Sequence, residues 1–250
     1  MPSKKNYKTE KPLHSVLFNI LIPVLILKNG NKWIDKYLGD TEVFQKWTDY
    51  LDFPSLVFAI ALIFPLVYFI YDLMLRKNIN VISILGFINI LLTGGIGVFG
   101  SKYGLTKNWF ILKEGLLPLM IGFFLFLMSF FKKESFYNIF LNELMFQKDK
   151  IKNAIHDNLK SEFDNVLKVT GYYFISGFFI SSIIQFFLAS VIVVSNPGDP
   201  SFNEEVSTMT WVSYIAVLLP TMIVLAKGFM GLISGIENLT GMKKEEFLNS

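Results

Sequence analysis

Long apolar segments alternate with short charged ones along this 250-residue chain, and no other feature restricts its fold as strongly. A helix needs roughly 20 consecutive, mostly apolar residues to cross the hydrocarbon core of a bilayer. Hydrophobic residues make up 52% of the chain and charged residues only 17%, which is more apolar side chain than a soluble domain of this length can bury. The sequence therefore predicts an all-α, polytopic membrane helical bundle.

Six segments have this character, which predicts about six transmembrane helices in a single membrane domain covering residues 1–250. The predicted spans are residues 13–29, 53–75, 79–100, 114–131, 168–195 and 209–236. The first span is the shortest, because Asn19 and Pro23 interrupt a stretch that ends at Leu27. Four lysines precede that stretch, so a cleaved signal peptide is an open alternative to a spanning signal anchor.

The distribution of Lys and Arg predicts the orientation of the spans. With both termini on one side, that side carries fifteen Lys and Arg residues and the opposite side carries seven. Loops with an excess of these residues stay in the cytoplasm. Both the N-terminus and the C-terminus are therefore predicted to be cytoplasmic.

Two segments outside the spans are predicted to be interfacial amphipathic helices. Between Asn31 and Asp52, aromatic residues recur at helical spacing and favour the headgroup level on the outer face. In the cytoplasmic segment 148–167, an apolar residue recurs every fourth position. These residues are Ile151, Ile155, Leu159 and Phe163. The same pattern fits a helix that packs beneath the helical bundle, and this alternative is as well supported as a helix on the lipid surface.

Polar residues inside the spans are the candidate functional residues, because ionisable groups at depth in a membrane are costly and often mark pathways. The candidate cluster consists of Asn19, Asp72, Asn89 and Lys227. At about 1.5 Å of rise per residue, Asp72 and Lys227 come within about one helical turn of each other in depth. Structural alternatives stay open: Lys227 snorkels to the interface, Asp72 pairs with Arg76, and the two asparagines join helices.

A second polar pair, Lys113 and Glu114, is predicted at the outer mouth of the fourth span. The chain contains no cysteine, and neither of its two histidines, His14 and His156, sits in a cluster with carboxylates. No metal site, no cofactor and no catalytic motif is therefore predicted, and the chain is not expected to be an enzyme. The net charge of +3 does not favour a nucleic-acid partner. The expected partner is the lipid bilayer, with a homodimer or envelope proteins as further alternatives.

Several short stretches carry a resemblance to a known group of proteins. They are FNILIP at residues 18–23, YDLMLRK at residues 71–77, WFILKE at residues 109–114, and the region from Phe202 to Gly241. In these stretches the chain resembles a family of uncharacterised bacterial multi-pass inner-membrane proteins that is distantly similar to intracellular septation protein A. The resemblance implies the bacterial cytoplasmic membrane and an association with the cell envelope, and some members of the group carry transporter-like labels.

Two functions are consistent with these patterns. The first is a non-enzymatic multi-pass protein of the bacterial inner membrane with an envelope-associated role. The alternative is a small-molecule or ion transporter or permease with a cytoplasm-facing polar cavity, in which the four candidate polar residues line the pathway.

Overall fold

The computed structural model describes residues 14, 16–76, 81–141 and 145–249. The structure is 83% helical, and its described residues form no strand. We number the α-helices in chain order. They are α1 (Ile22–Leu38), α2 (Glu42–Thr48), α3 (Phe53–Arg76), α4 (Val81–Phe99), α5 (Lys107–Phe131), α6 (Lys133–Phe140), α7 (Lys148–Ala154), α8 (Lys160–Ile192), α9 (Phe202–Ala216), α10 (Leu218–Thr240) and α11 (Lys244–Phe247).

Four helical segments among the described residues are long and apolar enough to cross a membrane. They are Phe53–Met74, Lys107–Phe131, Asp157–Ile192 and Phe202–Thr240. The prediction of an all-α membrane protein is confirmed at this level, whereas the count of six spans is not confirmed. These four segments overlap the predicted second, fourth, fifth and sixth spans. They extend beyond the prediction at four boundaries, namely the beginnings of the fourth, fifth and sixth spans and the end of the sixth.

The other two predicted spans correspond to helices that are not among these four segments. The first continues as α1 to Leu38, well beyond residue 29, and begins with a π-helical turn at Leu17–Leu21. This wider turn precedes Pro23, which has no N–H to donate to the carbonyl of Asn19. The predicted third span, 79–100, corresponds to α4 (Val81–Phe99), in which residues Phe87–Phe99 form a shorter apolar helix. Residues 13 and 79–80, where these two spans were predicted to begin, lie outside the described residues.

The last predicted span contains an interruption in its helical hydrogen bonding. It falls at Val217, between α9 and α10, where the backbone dihedrals nevertheless stay in the right-handed helical region (φ −97°, ψ −49°). Pro220 follows three residues later and lacks the N–H that a continuous helix would direct at the carbonyl of Ala216. Pro65 and Pro118, in contrast, lie inside α3 and α5 without ending them.

The aromatic segment between Asn31 and Asp52 was predicted to form one interfacial helix. In the structure its aromatic residues belong to two helices. Trp33 and Tyr37 are exposed on the last turns of α1, whereas Phe44 and Trp47 belong to the short helix α2. Phe44 turns inward and packs edge-on against Phe53, with ring centroids 5.4 Å apart. A turn after Leu38 separates the two helices.

The segment 148–167 also differs from a single interfacial helix. It consists of α7, a 3₁₀ turn at Asp157–Leu159 and the start of α8, because the backbone is extended at Ile155 and His156. Ile151, Ile155 and Phe163 are buried in the protein. The apolar stripe therefore packs against other residues of the chain, as in the alternative weighed from the sequence.

The contacts divide the chain into two compact units. The first comprises the described residues up to Glu114 together with Phe186–Ser213. Its core is built around Phe202, which is fully buried against the rings of Phe58 and Phe110 at centroid distances of 6.1 Å and 5.7 Å.

The second unit comprises Gly115–Gln185 and Tyr214–Ser250. Its core includes Ile151, Leu232 and Phe247, none more than 1% exposed. The C-terminal residues lie against the segment before α7: the amide of Gln147 donates to the carbonyl of Phe247 at 2.8 Å. We call residues 133–159 together with residues 241–249 the cap; its described residues form a folded apolar core with α8 and α10.

Candidate functional site

A buried lysine is the most unusual residue of the first unit. Lys113 lies six residues from the start of α5, about 9 Å along the helix axis. Its side chain is only 5% exposed. A lysine this close to a helix end commonly snorkels its ammonium group towards water. The ammonium group of Lys113 instead lies between α4 and α5 in the first unit.

Three oxygen atoms surround the ammonium group of Lys113. It donates to Thr93 Oγ1 at 2.7 Å and to Asn89 Oδ1 at 3.3 Å. It also forms an ion pair with Glu114, with 2.6 Å between Nζ and Oε1. The ring of Phe110 adds a cation–π contact, with its centroid 4.8 Å from Nζ. All three ammonium hydrogens thus have an oxygen acceptor within reach.

Helical spacing explains how the sequence assembles this site. Asn89 and Thr93 are four residues apart on α4, so they lie on one face. Phe110, Lys113 and Glu114 occupy positions i, i+3 and i+4 on α5. The Thr93 hydroxyl donates to the Asn89 carbonyl at 2.8 Å, which commits its hydrogen and directs an oxygen lone pair to Lys113.

The start of α5, which carries Lys113, is fixed by a distant loop. The amide of Lys107 donates to Asn196 Oδ1 at 3.0 Å, and its ammonium group donates to the carbonyl of Val194 at 3.0 Å. That loop is held in turn by Glu205, whose carboxylate accepts hydrogen bonds from the amides of Val194 and Ser195. The first amide of the helix that positions Lys113 is therefore capped by a side chain remote in sequence, that of Asn196.

The site is electrically balanced and therefore tolerable in an apolar setting. A buried charge is costly unless it is paired and hydrogen-bonded. Glu114 supplies the compensating charge, and its side chain is 18% exposed. Chemically, the arrangement can hold one compact cation between two helices.

The structure brings together three of the six polar residues selected from the sequence, namely Asn89, Lys113 and Glu114. Asn19 is exposed and Asp72 half-buried, both in the first unit. Lys227 is exposed on α10 and belongs to the second unit. Pairing of Asp72 with Lys227 stays a prediction.

Sequence reasoning missed Thr93 and Phe110. A signal was present, because each stands at helical spacing from a polar residue already selected: Thr93 follows Asn89 by four positions, and Phe110 precedes Lys113 by three. What the spacing does not reveal is that the two helices turn these faces towards each other.

The second unit contains a polar groove of about 730 Å³ that the sequence did not indicate. It is lined by Tyr137, Ser161, Glu162, Asp164, Asn165, Val166, Lys168, Gly235, Asn238 and Leu239. Partial burial raises the pKa of the Tyr137 hydroxyl, and the nearby negative charge of Asp164 raises it further. None of the polar residues selected from the sequence lines this groove.

Within the described residues, no group of three or more His, Asp or Glu side chains is placed to hold a metal ion. Membership of the family of bacterial inner-membrane proteins that the chain resembles stays a prediction. No protein-family model matches the chain, and no curated protein or solved structure matches it significantly.

Proposed function

We propose that the protein is a multi-pass protein of the bacterial cytoplasmic membrane that moves a small cation, as an ion transporter or permease. The observation that supports this proposal is the buried Lys113, which pairs with the half-buried Glu114 and donates to the half-buried Asn89 and Thr93. Charged residues within membrane-spanning segments are rare, and they mark ion and substrate pathways.

A purely structural role accounts poorly for this pair. Replacing a buried ion pair with well-packed apolar residues is often neutral or stabilising by about 1–4 kcal/mol, so stability alone does not favour keeping it. Lys113 also lies about 9 Å from the end of α5, where a long side chain can reach the interface at little cost. Its inward position is better explained by a function that needs charge between the helices.

The membrane arrangement that we propose has six spans, with α1 and α4 added to the four long apolar segments. Both termini are placed in the cytoplasm, which puts the Lys113 site near the outer face and the cap on the cytoplasmic side. Topology reporters fused after Gly30 and after Pro200 test this arrangement. Both are expected to report the outer side, and a cytoplasmic signal from either would contradict it.

The transport proposal is tested by electrical recording from proteoliposomes that contain the purified full chain. Concentration jumps of sodium, potassium and ammonium are applied, and protein-dependent current is compared with empty liposomes. At least one cation is expected to give a current that Glu114→Gln abolishes. Glu204→Gln is the matched control, because Glu204 is exposed in the same unit. The proposal fails if no cation gives current, or if Glu114→Gln behaves like the wild type.

A second candidate is a non-enzymatic, envelope-associated role, and the polar groove of the second unit is the observation that favours it. Tyr137 of the cap and Glu162, Asp164 and Lys168 of α8 line this groove, which offers a defined surface for another envelope protein. Mixed charges of this kind suit a polar, water-accessible interface.

The second candidate is tested with a photocrosslinking residue placed at Asn165 in the groove, in cells of the source bacterium. A discrete product with an envelope protein is expected, and Lys168→Glu should remove it by reversing a charge in the groove. The control position is Asp157, which is exposed and does not line the groove. Equal crosslinking at both positions, or none at Asn165, would exclude a specific partner there.

A further inference from the structure

We propose that Asn89, Thr93, Glu114 and Phe110 form a binding site for a primary ammonium group, which the side chain of Lys113 occupies in this structure. The substrate class that follows is the ammonium ion or a small primary amine. The substrate assignment rests on the proposed transport function, whereas the binding site rests only on the contacts around Lys113.

The acceptors match the donors of a primary ammonium group in number and kind. Such a group has three N–H donors. Lys113 Nζ finds an oxygen of Glu114 at 2.6 Å, of Thr93 at 2.7 Å and of Asn89 at 3.3 Å. One acceptor is charged and two are neutral, so the site balances a single positive charge.

The aromatic face distinguishes this site from one designed for a metal ion. The Phe110 centroid lies 4.8 Å from Nζ, and ring faces over ammonium groups are a recurrent means of recognising organic cations. Directed hydrogen bonds also discriminate, because an alkali ion has no hydrogens to donate. A quaternary ammonium ion has no N–H either, so it leaves all three oxygens without a donor.

The Lys113 side chain sets the size of the ligand. Substitution with alanine removes three methylene groups and the ammonium group, and this is the volume of propylammonium. Glu114 and Phe110 stay in place because they are neighbours on the same helix. In Lys113→Ala, propylammonium should therefore fill the vacated space and restore the lost contacts.

The test measures the thermal midpoint of the purified full chain as the concentration of added cation increases. Lys113→Ala is expected to unfold at a lower temperature than the wild type, and propylammonium should raise its midpoint by about 3–6 °C at ten times the dissociation constant. Tetramethylammonium and sodium, at equal ionic strength, should have no such effect. Lys102→Ala, which removes an exposed lysine, controls for general effects of charge and should not respond to propylammonium.

Removing the compensating charge should abolish the rescue. In Lys113→Ala/Glu114→Gln, propylammonium is expected to leave the midpoint unchanged. If Lys113→Ala does not accumulate, Lys113→Met replaces it, because methionine fills the methylene space and leaves room for the ammonium ion alone. Ammonium must then raise the midpoint, and sodium must not.

Three results would overturn the binding site: an equal response to sodium or tetramethylammonium, no response to any amine in either variant, or rescue that persists without Glu114. The transport proposal fails separately. Rescue by propylammonium without cation current in the wild type would keep the ammonium site and reject transport.

Discussion

Replacement of Gly97 by alanine gives the sharpest test of how the first unit is packed. Gly97 is buried in the last turn of α4, against the ring of Phe58. A Cβ built at this position lies 2.4–2.5 Å from three carbons of that ring, far inside van der Waals contact. Phe58 is only 1% exposed, so its ring has little space in which to retreat.

The expected cost follows from comparison with Gly95, two residues earlier. A Cβ at Gly95 meets nothing within 4 Å. Both substitutions gain the same helix propensity, about 0.5–1 kcal/mol for glycine to alanine, so this contribution cancels between them. What remains is the overpacking cost against Phe58, about 1–3 kcal/mol. Gly95→Ala is therefore expected to be neutral or stabilising, and Gly97→Ala less stable than Gly95→Ala by that difference.

The assay is thermal unfolding of the two purified variants and the wild type in one detergent, followed by tryptophan fluorescence. A difference of about 1–3 kcal/mol corresponds to a midpoint about 2–12 °C lower for Gly97→Ala than for Gly95→Ala. Equal midpoints would refute the close approach of α4 to Phe58. A lower midpoint for Gly95→Ala would show that the buried and exposed faces of α4 are assigned wrongly.

Three further predictions concern the cap, the loop that fixes α5, and Lys227. Phe247→Ala should lower the free energy of unfolding by about 3–5 kcal/mol and speed proteolysis of the cap, whereas Phe131→Ala, at an exposed site, should change neither measurement much. Glu205→Gln should lower the free energy of unfolding by about 1–3 kcal/mol through weakened bonds to the loop amides, with Glu204→Gln as control. Lys227→Met should change the thermal midpoint little and leave any cation current intact, because Lys227 is exposed, and loss of current would place it in the pathway.

The helical membrane character of the chain could be predicted from the sequence because it depends on local composition and length. The ends of the helices could not, because tertiary contacts decide them. The predicted span 168–195 begins instead at Lys160, since Phe163 and Leu167 pack into the core of the cap. An apolar residue at every fourth position, as in the stripe that begins at Ile151, is expected both for a helix on a lipid surface and for a helix packed against protein. This pattern alone therefore could not show which of the two the stripe contacts.

Three residues of the candidate site could be selected from the sequence, but the sequence did not show that they lie together. Lys113 and Glu114 stood out because charges are rare next to apolar runs, and Asn89 because it interrupts one. Their grouping depends on how α4 is rotated towards α5, as the hydrogen bond from Lys113 to Asn89 Oδ1 shows. Residue-by-residue estimates of depth cannot supply that rotation.

The account depends most on the interaction between the buried Lys113 and the half-buried Glu114, and a double-mutant cycle measures it directly. The free energy of unfolding is determined for the wild type, Lys113→Met, Glu114→Gln and the double variant. A buried, hydrogen-bonded pair predicts a coupling energy of about 2 kcal/mol or more, with the double variant more stable than the sum of the single losses implies. A coupling energy below about 0.5 kcal/mol, as for exposed pairs, would contradict a charged site between these helices.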